Sequence, residues 1–194
     1  MSKAKSTIAL WLLAACLAAS GAIADGYFGY DQQGAATYTF GPSYCWGNRY
    51  SGDFFTPSVI VTVDTFVIWC NGQNNNPKVI FGIYDVIGGV ITNKVGISDT
   101  LYVTGNTMQR WTCPANTRLA SGVTFTICVD ISGAAGPAVG CVDQTAALSR
   151  SNNSTFPKTW SDNTQINYRC SLAAHYRDNV SFGARRRHLI GGNK

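Results

Sequence analysis

Val123-Thr124-Phe125-Thr126-Ile127-Cys128-Val129-Asp130-Ile131 is the stretch that decides the fold. Its odd-numbered residues are apolar, and its even-numbered residues are threonine, threonine, cysteine and aspartate. Side chains on a strand point alternately to opposite faces, so this order reads as a strand with one face on a core and the other polar. Ala120-Ser121-Gly122 before it reads as a turn, and 132–140 after it as a Gly/Ala/Pro loop.

Similar runs flank it on both sides. Toward the N-terminus, 107–113 and 95–103 read as strands separated by Gly105-Asn106, and Gly88-Gly89 marks another turn. In 78–85, Val79, Phe81 and Ile83 share one face. Asn71-Gly72-Gln73-Asn74-Asn75-Asn76-Pro77 is a turn by composition. The run 57–70 is apolar on both parities, which fits either a central strand or two segments that change face near Asp64. One or two short strands are expected in 37–50, around Gly41-Pro42. Toward the C-terminus, 149–164 is a polar stretch containing Phe156 and Trp160. A last strand puts Ile166, Tyr168, Cys170, Leu172, Ala174 and Tyr176 on one face. His175 falls on the opposite parity, as an exposed residue with no evident partner. The turns leave no room for crossover helices, so the expected architecture is all-β: an antiparallel two-sheet, jelly-roll-like sandwich.

The first 24 residues read differently. Lys3 and Lys5 precede an apolar run, 8–19, that is too short to span a bilayer as a helix, and Ala22-Ile23-Ala24 supplies the small residues of a signal-peptidase site. Cleavage is expected between Ala24 and Asp25. Leu13-Ala14-Ala15-Cys16 also resembles a bacterial lipobox, in which Cys16 would be lipidated. Both readings export the chain, to the periplasm, the cell surface or the medium. The organisation expected is a signal peptide 1–24, an N-terminal arm 25–36, a sandwich domain 37–178 and a basic C-terminal tail 179–194. No second apolar run follows, so no transmembrane segment is expected in the mature chain.

Composition narrows the class further. Charged residues make up 13% of the chain, and all ten acidic residues are aspartate. Aspartate favours turns where glutamate favours helices. Removing the signal leaves four lysines, nine arginines and ten aspartates, a formal net of +3. Three of those arginines, Arg185, Arg186 and Arg187, sit with His188 in the tail, which suits a solvated terminus or contact with an anionic surface polymer. The rest is near neutral, unlike a nucleic-acid binder. Cys45, Cys70, Cys113, Cys128, Cys141 and Cys170 form an even set suited to three disulfides in an oxidising compartment. Fifteen connectivities are open; Cys113 with Cys128 across a hairpin, leaving Cys45 with Cys70 and Cys141 with Cys170, is one. With no Cys-x-x-Cys and only His175 and His188 after the signal, no metal site or cofactor is expected.

One ordered series of features runs from 57–70 through Phe81-Gly82-Ile83-Tyr84-Asp85, Gly88-Gly89 and the strand of Trp111 to Leu119-Ala120-Ser121-Gly122-Val123-Thr124-Phe125. Over about residues 57–131 it resembles the jelly-roll modules of exported bacterial proteins, including the choice-of-anchor type. The six cysteines, and Phe125 at the usual tyrosine position, depart from that pattern. The resemblance implies attachment, adhesion or glycan binding more than catalysis.

The residues themselves offer two functions. A glycan binder needs aromatic rings beside amides and carboxylates, which Trp46, Asn48 and Tyr50 supply in one segment and Asn152, Asn153, Phe156 and Trp160 in another. The same rings would serve equally to cap a core, since tryptophan and tyrosine are mostly buried. A carbohydrate-active hydrolase needs two positioned carboxylates, and Asp64, Asp85, Asp99, Asp130 and Asp143 are available without a spacing that singles out a pair. The leading expectation is an exported, non-catalytic binding or structural protein. It would act in surface attachment, glycan recognition or self-assembly.

Overall fold

The computed structural model describes residues 25–40, 45–73, 76–132, 138–143, 148–151, 156–160, 164–166 and 168–179. The signal segment with Cys16 and Ala24, Asn152 and Asn153, and the tail from 180 onward lie outside the described residues. The strands in chain order are β1 (Gly26–Gly29), β2 (Ala36–Phe40), β3 (Cys45–Asn48), β4 (Val61–Asn71), β5 (Lys78–Ile87), β6 (Val90–Ile97) and β7 (Leu101–Tyr102). They continue with β8 (Gln109–Leu119), β9 (Phe125–Ser132), β10 (Ala138–Asp143), β11 (Leu148–Ser151), β12 (Thr164–Ile166), β13 (Arg169–Cys170) and β14 (Leu172–Asp178). A short 3-10 turn, Ser51–Asp53, follows β3.

The strands form two antiparallel sheets. The first runs β1-β14-β4-β10-β13, with β8 also on β4 and β2 also on β10; the second runs β12-β11-β3-β9-β5-β6, with β7 on β5. Phe125, Ile127, Val129 and Ile131 of β9 face the space between the sheets, each no more than 2% exposed. They pack with Val79, Phe81 and Ile83 of β5 and Phe66 and Ile68 of β4. Phe66 and Phe81 stack with centroids 5.1 Å apart and planes 1° from parallel. Each such side chain taken out of water stabilises the fold by roughly 1.5–3 kcal/mol.

The double-parity run 57–70 resolves as one strand with a bulge at Asp64. Val61 and Val63 are buried before it, and Phe66, Ile68 and Cys70 after it. The register against β8 shifts between Val63 and Thr65, and the register against β14 shifts between His175 and Tyr176. The extra residue turns the Asp64 side chain outward while the core side is maintained. The run 95–103 is broken where Ser98 replaces ladder partners: its hydroxyl accepts from the Phe81 N–H at 2.9 Å and donates to the Asp99 carbonyl at 2.6 Å. Residues 26–29, expected in an arm, form β1 along β14, with Tyr27 opposite His175.

The even-numbered face of β9 departs from expectation. Thr126, Cys128 and Asp130 are 0%, 0% and 3% exposed. The segment 156–160 lies across this outer face as a strap. Tyr84 Oη donates to the Pro157 carbonyl at 2.6 Å, the Lys94 N–H to Lys158 O at 3.0 Å and the Trp160 N–H to Thr92 O at 2.7 Å. Two glycines make room for the strap's rings: a Cβ on Gly82 would stand 2.8 Å from the Phe156 ring, and one on Gly47 3.2 Å from Trp160. A second apolar cluster results, made of Cys45, Tyr84, Ile91, Cys128 and Trp160 with Phe156 against it.

Among the described residues no disulfide is formed; Cys45, Cys70, Cys113, Cys128 and Cys170 are buried thiols. Cys70, Cys113 and Cys170 lie in the core between the sheets, whereas Cys45 and Cys128 lie under the strap. The second sheet therefore stands between Cys113 and Cys128, and between Cys45 and Cys70, so neither expected pair meets. The side chain of Cys141 lies outside the described residues.

Candidate functional site

The outer face of the first sheet carries a charged strip around one exposed ring. Tyr27 on β1 is 54% exposed and meets its cross-strand neighbour His175 edge-on, with centroids 4.9 Å apart. The bulge at Asp64 brings a carboxylate oxygen 2.8 Å from His175 Nδ1, and Asp25 Oδ1 lies 3.2 Å from His175 Nε2. Arg177 Nε also pairs with Asp64. Burial opposes ionisation of Asp64, but hydrogen bonds from His175 and Thr65 and the nearby positive charges outweigh it, holding the carboxyl below its usual range.

On the other side of Tyr27 the chain folds back over the sheet. Gly29 has φ +88°, and a Cβ there would stand 2.4 Å from the Leu172 carbonyl, so only glycine lets β1 leave in this direction. The reversal delivers Asp31 to Arg110 of β8, whose Nε and Nη2 reach Asp31 Oδ1 and Oδ2 at 2.9 and 2.7 Å. Trp69 Nε1 adds a contact to Asp31 at 3.3 Å. The forked bond from Arg110 holds Asp31 below the usual carboxylate range. The Arg110 guanidinium carbon lies 5.8 Å from the Tyr27 ring centroid. The strip is thus an open ring flanked by planar, hydrogen-bonding charged groups with fixed orientations.

The residues marked from sequence separate into two places. Trp46 is 2% exposed and packs edge-on against Tyr38 and Phe40 in the core. Asn48, 1% exposed, donates to Asp53 Oδ2 at 2.9 Å and to Cys170 O at 3.2 Å, and its Oδ1 accepts from the Cys170 N–H at 3.3 Å. Tyr50 is 39% exposed. The Arg169 guanidinium sits over Tyr50 at 4.6 Å and over Tyr30 at 3.9 Å while its fork grips Asp53. Burial raises the Asp53 pKa, and Arg169 offsets only part of that rise. Asn48 and Tyr50 therefore share one cluster, with Trp46 in the core. Phe156 and Trp160 belong to the strap, where Trp160 is 6% exposed. Neither tryptophan presents a face to solvent.

Tyr27, Asp31 and Arg110 were not marked from sequence. Reading 25–36 as an arm left Tyr27 without a face, and Asp31 and Arg110 are 79 residues apart. The signals available were the outward parity of His175 and the switch of apolar parity at Asp64. Several candidate carboxylates are already tied to partners: Asp64 as above, and Asp85 to Thr92 and Asn93. A surface cavity of about 290 Å³, lined by Ile97, Ser98, Asp99, Pro114, Ala115 and Asn116, holds one carboxylate rather than two. Among the described residues no helix is long and apolar enough to cross a membrane.

No protein-family model and no curated protein sequence matches the chain. Solved structures do share its fold. A clostridial cysteine protease, Cwp84, after propeptide cleavage, superposes with a TM-score of 0.56 at 11% identity, over 80% of this chain and 40% of that one. A structure of the cysteine protease and lectin-like domains of Cwp84, a surface-layer-associated protein of Clostridium difficile, gives a TM-score of 0.55 at 11% identity, over 80% and 36%. At that identity the likeness is one of fold, and this chain spans about two-fifths of the length of those proteins.

Proposed function

We propose that the mature chain is an exported, non-catalytic, jelly-roll-like β-sandwich that binds saccharide polymers at a cell surface, with Tyr27 as its stacking platform. The observation that carries this reading is the exposed Tyr27 ring between Arg110–Asp31 and His175–Asp64 on the outer face of the first sheet. A sugar offers apolar C–H faces to a ring and hydroxyl edges to charged forks, and the strip supplies both. The fold shared with a surface-layer-associated protein that carries lectin-like domains supports the same class. Tyr50 above Arg169 is a second, smaller platform on the same principle. Outside the cytosol the cysteines are expected to oxidise.

A glycan array probed with wild type and Tyr27→Ala tests the proposal. The expected result is selective binding that falls about tenfold in the variant, the worth of one well-packed ring, with an unchanged melting temperature. No glycan bound by the wild type, or equal binding by both, would sink it. Self-assembly is the second reading. β6 pairs with β5 on one side and at Thr92–Lys94 with the strap on the other, leaving its 95–97 end with Val95 (39%) and Ile97 (52%) exposed, and a short apolar edge of this kind invites strand addition. Sedimentation of wild type against Val95→Lys decides it: a concentration-dependent dimer lost in the variant supports assembly, and a monomer at all concentrations removes it.

A further inference from the structure

Cys45 on β3 and Cys128 on β9 occupy the same outer face of the second sheet. Asp130 is the residue directly opposite Cys45, and Gly47 the one directly opposite Cys128, so the two cysteines are diagonal neighbours one step apart. Both are fully buried, in one cluster with Tyr84, Ile91 and Trp160. Gly47 leaves the Cys128 sulfur room over β3: a Cβ at position 47 would stand 2.8 Å from Cys128 Sγ. Diagonal Cα atoms across an antiparallel pair are about 7–8 Å apart and a disulfide spans up to about 6.8 Å, so a shift of about 1 Å in β3 closes the bond. The other described cysteines, Cys70, Cys113 and Cys170, lie on the far side of the sheet.

We infer that Cys45 and Cys128 form a disulfide that staples β3 to β9 beneath the 156–160 strap. The inference rests on the export reading for its oxidant, a disulfide such as oxidised glutathione or that of an oxidising enzyme. One protein thiol, deprotonated, attacks the oxidant disulfide and expels one thiolate, giving a mixed disulfide. The second protein thiolate attacks the protein sulfur of that bond and expels the other half. Two protein thiols lose two protons and two electrons, and the oxidant leaves as two thiols.

Burial sets the order of events. The Cys45 thiol is pushed up to about 12, by burial first and by the Asp130 charge second, and burial pushes Cys128 up as well. Neither sulfur is a competent nucleophile once covered, since the thiolate is the reacting form. The bond is made while the strap is still open and is then sealed by it.

The test is peptide mapping without reduction, on the chain recovered from an exporting host and on the full-length chain refolded in a glutathione redox buffer. Thiols are alkylated under denaturing conditions before digestion. Trypsin with a protease that cuts before aspartate leaves Cys45 on 31–49 and Cys128 on 119–129, free of the other cysteines. A species joining these two peptides is expected in both samples. In refolded Cys45→Ser, Cys128 gains one alkyl group; in Cys128→Ser, Cys45 does. Alkylation of both cysteines in the refolded wild type, or a bond from either to another cysteine, overturns the inference. A joined pair after refolding, with only thiols in the host-derived protein, upholds the pair and instead overturns export.

Discussion

Asp130 is where the buried face of β9 conflicts most with its own chemistry. It is 3% exposed, and its Oδ1 has no hydrogen-bond partner among the described residues. Burial pushes its pKa up to about 6. The native state therefore binds a proton more tightly than the unfolded chain, so between about pH 4 and pH 6 stability falls as pH rises. Above that window the cost stays constant, on the order of 2–3 kcal/mol. Asp130→Asn removes the charge and keeps the shape. Urea denaturation at pH 4.5 and 7.5 should show the variant more stable than wild type at pH 7.5, and close to it at pH 4.5. A variant less stable at pH 7.5 would show that the carboxylate has a partner it needs. Alternation alone carries no warning of this conflict, because it puts Asp130 on the polar face of β9. That parity is correct. The cover over the neighbouring Cys128 comes from residues almost thirty positions further along, in a stretch that reads as polar from its own composition.

Elements were legible wherever a strand could be recognised from its own residues. The odd face of β9, the shared face of Val79, Phe81 and Ile83, and the switch of apolar parity at Asp64 follow from alternation and turn chemistry; that the switch is a bulge keeping one face on the core, rather than a change of face, depends on the pairing with β8 and β14. What escaped was whatever needs a distant partner. β1 is only four residues long and is a strand because β14 pairs with it. The strap is held by Tyr84, Thr92 and Lys94, and its rings depend on two glycines whose use is invisible in one dimension. Those glycines set an order of costs. A Cβ on Gly82 meets only the Phe156 ring, which is half-buried and can swing aside. One on Gly47 meets Ile91 Cδ1 at 2.6 Å, Cys128 Sγ at 2.8 Å and the Trp160 ring, none of which has room to move. Gly47→Ala should cost about 1–3 kcal/mol, the usual penalty for overpacking, and more than Gly82→Ala. Trp160→Ala should cost about 3 kcal/mol or more. Chemical denaturation of the three variants checks the order; a Gly82→Ala loss equal to that of Gly47→Ala would mean the strap is seated differently.

At the scale of the molecule, the question is what ties one sheet to the other besides the apolar core. At one end the tie is polar. Asn48 belongs to the second sheet and exchanges hydrogen bonds with the Cys170 backbone of the first, while Asp53, on the turn between β3 and β4, joins Asn48 to Arg169. Asp53 is 1% exposed, so it is tolerable as a carboxylate only because Arg169 is there. Arg169→Ala leaves that charge buried and unpaired, a loss of about 3–5 kcal/mol. Arg169→Lys should recover only part, since an ammonium cannot fork onto both oxygens or stack flat between Tyr30 and Tyr50. Asp53→Asn introduced into Arg169→Ala should restore much of the loss, because the amide oxygen still accepts from Asn48 and no charge remains. The sign with pH is fixed by the same reasoning. Burial already raises the Asp53 pKa, and without Arg169 it rises further, so the single variant should be least stable at pH 8 and recover toward pH 4.5 as Asp53 takes up its proton. Denaturation of the four members of the cycle at both pH values measures this. A double variant as unstable as Arg169→Ala, with no recovery at low pH, would place the tie between the sheets in the Tyr30–Arg169–Tyr50 stack rather than in the ion pair, and would leave that stack as the feature to vary next.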